Sequence, residues 1–149
     1  MDGGISRGFE LQFEASPLTR LDLRASYTFT NSDEARSTAG TRFSKALGLS
    51  EHVFTMEAYL KLTRRLDMSF EFHAADDYFN RFFVPGGNRE FRFDGPVKAD
   101  ATIGYAFPLS ERRRIRLYGR FENIFDDEYF ENGFRTPGAT GYGGLAFEF

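Results

Sequence analysis

The 149-residue sequence contains no cysteine and no tryptophan, and it has no long hydrophobic run. Without cysteine, a disulfide framework and a thiolate metal site are both excluded. No segment approaches the ~18 apolar residues of a transmembrane helix; this excludes helical spans only, since spanning β-strands alternate in hydrophobicity. The net charge of −3 is small and argues against a nucleic-acid partner. Residues 1–7 lack the basic start and apolar stretch of a signal peptide.

The sequence is instead rich in aromatic residues and in strict alternation. It contains nineteen Phe and seven Tyr, residue types that favour strands. Apolar and polar residues alternate in seven segments: 9–14, 21–30, 54–62, 66–73, 97–105, 115–122 and 143–149. Because successive side chains of a strand point to opposite faces, this pattern predicts seven strands, each with one apolar and one polar face.

The connections between these segments alternate between short and long. The short ones are residues 15–19, 63–65 and 108–112, and the long ones are residues 31–51, 75–96 and 126–139. The middle long connection is itself predicted to form a hairpin, in which residues 79–84 and 89–93 flank the turn-forming residues Pro85 to Asn88. Short turns alternating with long loops are typical of outer-membrane barrels.

The predicted fold is all-β: an antiparallel meander of about seven strands that forms part of a transmembrane outer-membrane β-barrel. A complete bacterial single-chain barrel has an even number of strands, with both termini on one side of the membrane. Seven strands place the termini on opposite sides, so we expect the chain to be incomplete on its own. A soluble β-barrel has the same alternation with its apolar face inward, and this alternative stays open.

Two segments near the end of the chain resemble a known family. Residues 123–129 read Asn-Ile-Phe-Asp-Asp-Glu-Tyr, residues 136–138 read Thr-Pro-Gly, and the chain ends at Phe149. This combination resembles the C-terminal signature of TonB-dependent outer-membrane receptors, in which Asn-Leu-Phe-Asp-x-x-Tyr closes the penultimate strand. Residues 8–10, Gly-Phe-Glu, are similar to the opening of an earlier hairpin in the same barrel. At Ala139 the sequence departs from the arginine that is common in the family.

The resemblance implies that residues 1–149 are the C-terminal segment of such a barrel in the bacterial outer membrane, with the plug domain absent. It implies import of a scarce ligand: a ferric siderophore, haem, cobalamin or a glycan. The expected partners are outer-membrane lipid, the barrel-assembly machinery, the remainder of the receptor, and TonB acting through the plug. The alternatives are a small self-standing or oligomeric outer-membrane barrel, and a soluble β-barrel that binds an apolar ligand.

Two groups of site residues follow. Ligand contacts are predicted at Tyr78, Arg81, Phe82 and Arg89 in the middle long connection, because aromatic rings and arginine suit an anionic or aromatic ligand. The alternative for this group is interfacial aromatic rings beside solvated arginines. Leu145, Phe147 and Phe149 form the terminal apolar ridge, which the resemblance implies is read by the barrel-assembly machinery. A ridge that only closes a sheet seam is the alternative.

No catalytic, cofactor or metal site is predicted, and the chain is not expected to be an enzyme. His73 with Asp76 and Asp77 is interpreted as a lumen-facing histidine followed by a solvated acidic loop rather than as a metal cluster.

The acidic residues of the family-like segment have a structural interpretation. Asp126 and Asp127 are expected to shape a turn after Asn123, with their carboxylates accepting hydrogen bonds from backbone N–H groups. Tyr129 and Phe130 are expected in the aromatic girdle at the membrane surface.

Overall fold

The computed structural model describes residues 4–36, 42–131 and 133–149, which form twelve β-strands. The strands are β1 (Gly4–Leu18), β2 (Leu21–Arg36), β3 (Arg42–Lys45), β4 (His52–Lys61), β5 (Leu66–Ala75), β6 (Tyr78–Val84), β7 (Gly87–Phe93), β8 (Val97–Pro108), β9 (Arg114–Glu122), β10 (Phe130–Glu131), β11 (Phe134–Arg135) and β12 (Thr140–Glu148). Among these residues, no helix is long and apolar enough to cross a membrane.

Seven of the strands form one antiparallel sheet in the order β1-β2-β4-β5-β8-β9-β12. Strand β3 adds a short pairing to β2, while β6–β7 and β10–β11 form two separate hairpins. Strands β1 and β12 are the two edges, and the described residues do not close the sheet into a barrel. The predicted seven-stranded antiparallel meander is therefore confirmed.

Through the middle of the sheet, the register places polar residues opposite polar residues and apolar residues opposite apolar residues. On the polar face, Arg24 of β2 lies opposite Glu57 of β4. On the apolar face, Phe70 of β5 lies between Ala58 of β4 and Ala101 of β8, so a large ring is flanked by small side chains. Because a slip of one residue would move every side chain to the other face, the alternation in the sequence fixes this register.

The apolar face of the sheet is not covered by any of the residues that the structure describes. Among the described residues, only Ala46, Ala99 and Tyr129 are buried hydrophobic side chains. Large apolar side chains exposed along the strands include Phe9, Leu11, Phe13, Phe54, Met68, Ile103, Leu117, Phe121, Leu145 and Phe147. A continuous exposed apolar surface of this kind marks an interaction surface in a soluble protein or contact with an apolar phase.

The short and long connections lie at opposite ends of the sheet. The short ones are residues 19–20, 62–65 and 109–113, while the long ones carry β3 and the two separate hairpins. The predicted alternation is confirmed for the described part of the chain, and residues 37–41 of the first long connection lie outside it.

The first short turn is tighter than the sequence predicts. Strand β1 continues to Leu18, with a register shift between Ala15 and Leu18. Pro17 lies within this irregular stretch of an edge strand, where its missing N–H costs little in sheet pairing. The turn itself therefore reduces to Thr19 and Arg20.

The predicted hairpin in the middle long connection is confirmed as β6 and β7. Val84 pairs with Gly87, which leaves Pro85 and Gly86 as the two turn residues. Gly86 has a φ of 102°, and a proline followed by a residue of positive φ is the arrangement that a type II turn requires.

Candidate ligand-binding site and the Asn123 turn

The four predicted ligand-contact residues lie on both faces of the β6–β7 hairpin. Tyr78 and Phe82 alternate on one face of β6, and the register places Arg89 of β7 opposite Phe82 on that same face. Arg81 points to the other face, where its guanidinium lies 2.7 Å from Oε1 of Glu90. The structure therefore brings three of the four residues together and separates Arg81 from them.

Five rings on and beside this hairpin form an aromatic cluster: Tyr78, Phe82, Phe91, Phe93 and Phe130. The Phe93 ring centroid lies 5.4 Å from that of Tyr78, 5.9 Å from Phe82 and 5.8 Å from Phe130. The Tyr78 hydroxyl donates a 2.6 Å hydrogen bond to the carbonyl of Phe130. The aromatic cluster therefore joins the β6–β7 hairpin to β10.

One glycine makes room for this cluster. Gly133 has a φ of 84°, and a Cβ added there would lie 2.7 Å from Cζ of Phe82. Glycine therefore suits position 133 for two reasons: the positive φ is one that other residues rarely adopt, and the Phe82 ring leaves no room for a Cβ atom.

Arg89 is a positively charged residue on the same face of the hairpin as the aromatic cluster. Its side chain is exposed and makes no ion pair or hydrogen bond with the residues that the structure describes. Arg92, on the other face, pairs with Asp77. The exposed Arg89 guanidinium and the partly exposed Phe91 ring share one face of the hairpin, and this combination is a suitable surface for an anionic aromatic ligand.

The family-like segment forms a compact turn after β9, the Asn123 turn (residues 123–127). Asn123 is buried and has a φ of 50°. Its Nδ2 donates to the carbonyls of Asp127 at 2.9 Å and Pro137 at 3.4 Å, and its Oδ1 accepts from the Asp127 N–H at 3.1 Å. The Asn123 N–H donates to the Asp100 carboxylate at 2.8 Å. One short, buried side chain thus satisfies backbone groups of the turn and of Pro137.

The two aspartates of this turn tie it to neighbouring strands. Asp126 Oδ1 accepts from the Ala139 N–H at 2.7 Å, just before β12. Asp127 Oδ2 accepts from the Val97 N–H at 2.9 Å, at the start of β8. The predicted role of these carboxylates as acceptors for backbone N–H groups is confirmed.

The chain crosses between the two faces of the sheet at the Asn123 turn. The Ile124 N–H donates to the Ala99 carbonyl at 2.8 Å, and the Phe125 ring lies 6.3 Å from that of Phe72 on the apolar face. Tyr129 is instead buried, with Lys98 Nζ 5.8 Å from its ring centroid. The prediction that Tyr129 lies in the girdle is therefore wrong, because Ile124 and Phe125 take the apolar side and the chain then turns inward.

Arginines of β9 join three strands on the polar face, in a set of contacts that the sequence did not reveal. Arg120 lies 3.3 Å from Glu71 of β5, 3.2 Å from Asp100 of β8 and 2.9 Å from Glu122 of its own strand. Arg116 passes over Gly104 of β8 to pair with Asp67 of β5. These partners lie up to 49 residues apart in sequence, and only the strand order brings them together.

The terminal ridge lies on the apolar face. Leu145 and Phe147 face Leu117 and Ile115 of β9 and are 73% and 55% exposed. Phe149 follows the end of β12, is 92% exposed, and its ring centroid lies 5.8 Å from that of Phe147. The apolar ridge therefore continues to the last residue, at the end of the sheet that carries the short turns.

His73, Asp76 and Asp77, which were considered together in the sequence, have different partners in the structure. Asp76 accepts a 3.1 Å hydrogen bond from the His52 N–H, and Asp77 pairs with Arg92. His73 lies opposite Lys98 in the sheet. No local pattern in the sequence places Asp76 beside His52, because 23 residues and a strand turn separate them.

No family model matches the sequence, and no curated protein matches it significantly. Solved structures do match in fold. The siderophore receptor PiuA from Acinetobacter baumannii superimposes with a TM-score of 0.70 at 16% identity, over 98% of this chain and 22% of the receptor. The ferripyoverdine receptor of the outer membrane of Pseudomonas aeruginosa, bound to ferripyoverdine, gives a TM-score of 0.69 at 12% identity, over 97% of this chain and 19% of that receptor.

The chain thus spans about a fifth of the length of the two receptors. At such low identity the comparison concerns the fold alone. It agrees with the strand number and the antiparallel order. The described sheet has the fold of a segment of an outer-membrane receptor barrel.

Proposed function

We propose that residues 1–149 form the C-terminal wall of the β-barrel of a TonB-dependent outer-membrane receptor, with the plug domain supplied by another part of that receptor. The observation that carries the proposal is the uncovered apolar face of a sheet whose fold matches two outer-membrane receptors. Lipid covers such a face without any further protein layer. The receptor would import a scarce ligand: a ferric siderophore, haem, cobalamin or a glycan.

The grooves of the sheet favour this orientation over a soluble barrel. Grooves of about 420 and 360 Å³ lie on the polar face. Their lining includes Arg24, Glu57, Glu71 and Asp100. Grooves lined by charged side chains suit the aqueous interior of a membrane barrel, whereas a soluble barrel for an apolar ligand would line its interior with the apolar face.

Insertion into lipid tests the membrane assignment. The purified chain is expected to require detergent or lipid, and its strands are expected to resist protease after insertion into vesicles. A chain that stays monomeric and melts cooperatively without detergent would refute the assignment. Detergent-stable oligomers with closed, heat-modifiable barrels would instead favour the self-standing oligomeric barrel.

Ligand contact is proposed at Tyr78, Phe82 and Arg89, on the hairpin face that carries the aromatic cluster. In the intact receptor, Arg89→Ala is expected to reduce ligand binding, because it removes the exposed guanidinium beside the rings. Arg92→Ala is the matched control on the opposite face of the hairpin. Equal ligand affinities of the two variants and the wild type would remove Arg89 from the site. Arg81, on the face away from the cluster, is proposed only as a secondary contact.

Recognition by the barrel-assembly machinery is proposed for Leu145, Phe147 and Phe149. Deletion of Phe149 from the receptor is expected to lower the amount of heat-modifiable barrel in the outer membrane. Phe134→Ala is the control, because Phe134 is an exposed aromatic residue far from the chain end. Unchanged barrel levels after the deletion would leave the ridge with a packing role alone. No catalytic activity is proposed for the chain.

A further inference from the structure

Three side chains with metal-binding chemistry meet at the end of the sheet that carries the long connections. One ring nitrogen of His52, one carboxylate oxygen of Glu51 and one of Asp76 all lie within 4.8 Å of one another. His52 is the first residue of β4 and Glu51 directly precedes it, while Asp76 directly follows β5, the strand paired with β4. Imidazole nitrogen with carboxylate oxygen is a donor set that suits Zn²⁺ and related divalent transition metals.

Hydrogen bonds hold the chain segments that contain these three side chains together. The Asp76 N–H donates to the His52 carbonyl at 3.1 Å, and the His52 N–H donates to Asp76 Oδ1 at 3.1 Å. The hydroxyl of Ser50 donates to the Asp76 carbonyl at 2.8 Å. The ends of β4 and β5 are therefore joined before any ion binds, so little ordering is left for the ion to impose.

The imidazole of His52 is also oriented by its surroundings. Its Nδ1 lies 2.7 Å from the hydroxyl oxygen of Tyr27 on β2, and the two rings stack with centroids 6.0 Å apart. The ring centroid of Phe29, which also belongs to β2, lies 5.0 Å from that of His52. Histidines that bind metals commonly have a second polar partner that fixes the ring in this way.

The cluster carries two carboxylates and one nearby cation. Lys45 Nζ lies 3.0 Å from Oε2 of Glu51, and Lys45 belongs to the short strand β3. The local negative charge therefore already attracts a positive group. A divalent cation would compete with Lys45 for Glu51. The affinity of the site for the cation therefore depends on the positive charge of Lys45.

From this arrangement we infer that Glu51, His52 and Asp76 form a binding site for a divalent transition metal, here represented by Zn²⁺. The ion would join β4 to the end of β5, and its remaining coordination positions would be open to water or to a ligand atom. The inference stands apart from the proposed transport function, since it depends only on the local geometry of these strands.

Direct titration tests the site. The untagged chain, folded in detergent and freed of metal with a chelator, is titrated with Zn²⁺ by calorimetry and with Co²⁺ by visible absorption. One saturable site is expected in the wild type. His52→Gln and Asp76→Asn are expected to lower the affinity by more than the roughly 10- to 100-fold that follows loss of an outer partner. Asp76→Asn keeps an oxygen that accepts from the His52 N–H, so the strand ends stay joined.

The matched control is His73→Gln, because His73 is the only other histidine in the sequence. It should bind Zn²⁺ as the wild type does. Tyr27→Phe keeps the stacked ring and should weaken binding roughly tenfold through loss of the hydroxyl, while Lys45→Met should strengthen it. Absence of saturable binding in the wild type, or an equal loss in His73→Gln and His52→Gln, would overturn the inference. Far-UV circular dichroism verifies that each variant keeps its sheet, and Glu51→Gln replaces any variant that does not.

Discussion

The two faces of the sheet differ in how their side chains are stabilised. On the polar face, Arg120 contacts carboxylates on three strands and Arg116 spans β8, so charges are compensated within the sheet. On the apolar face, large side chains such as Leu117 and Phe121 contact their neighbours and are still about half exposed. Ion pairs within the sheet therefore compensate charges on the polar face, whereas the large side chains of the apolar face depend on the medium around them.

This difference explains why the chain has so few buried side chains. A water-soluble domain of this size would bury an apolar core between two layers. Here a single layer has one polar and one uncovered apolar face, and under the proposed function the apolar face is stabilised by transfer into lipid rather than by internal packing. The faces should therefore respond differently to the same substitution.

The largest effect is expected from a charge placed on the apolar face. Ile103→Arg should destabilise the lipid-inserted chain by about 2–4 kcal/mol, because arginine near the bilayer centre loses its hydration. Ser69→Arg, on the polar face of the paired strand β5, should change stability by less than about 0.5 kcal/mol. Urea unfolding in lipid vesicles measures both. Equal losses would show that the two faces do not meet different media.

The next effect concerns Asn123, where the chain crosses from one face to the other. Asn123→Ala should cost about 1–3 kcal/mol, because the carbonyls of Asp127 and Pro137 and the Asp127 N–H lose the partner that the buried Asn123 side chain provides. Asn123→Gly keeps the positive φ accessible and isolates the hydrogen-bond part of this loss. The exposed Asn88→Ala serves as control in the same unfolding experiment, and a similar loss there would contradict a special role for Asn123.

A smaller effect is expected within the ion pairs of the polar face. Arg120, with a side chain 26% exposed, contacts three carboxylates, whereas Arg24, 69% exposed, pairs only with Glu14 among the residues that the structure describes. Arg120→Met should cost about 1–2 kcal/mol and Arg24→Met at most about 1 kcal/mol. Unfolding at low and high salt distinguishes them, since exposed pairs are screened more strongly. If Arg120→Met is neutral, the polar face is not held together by these contacts.

The smallest effect compares two strand glycines. Ala at Gly104 would place its Cβ against the Arg116 guanidinium and disturb the pair with Asp67, whereas at Gly119 the nearest side-chain atom, Ile103 Cγ2, lies 4.0 Å away. Gly119→Ala should be neutral or stabilising by about 0.5–1 kcal/mol, and Gly104→Ala should lack this gain. Matching midpoints in urea would show that Arg116 moves aside without cost.

Much of the fold was predictable because its rules are local. Alternation defined the seven strands and their faces, and Pro85 with Gly86 defined the turn of the middle hairpin. The acceptor roles of Asp126 and Asp127 also followed from short side chains next to a turn. The position of Tyr129 did not, because its burial depends on the path that the chain takes after Phe125.

The candidate sites were predictable only in part. Arginine and aromatic residues in the middle long connection could be named, yet the separation of Arg81 from Arg89 depends on hairpin register. The meeting of His52 with Asp76 depends on which strands pair at the end of β5.

The sequence by itself determined the seven main strands, the middle hairpin, which face of each main strand is apolar, and the order of short and long connections, since these depend on the two-residue period and on turn chemistry. The short strands β3, β10 and β11 were not predicted, because they carry no long alternating pattern. Only the tertiary structure decided which carboxylates compensate Arg120 and Arg116, that Tyr129 turns inward, and that Glu51, His52 and Asp76 meet. The physical reason is that strand order and register bring together side chains that are distant along the chain, and no local pattern encodes those distances.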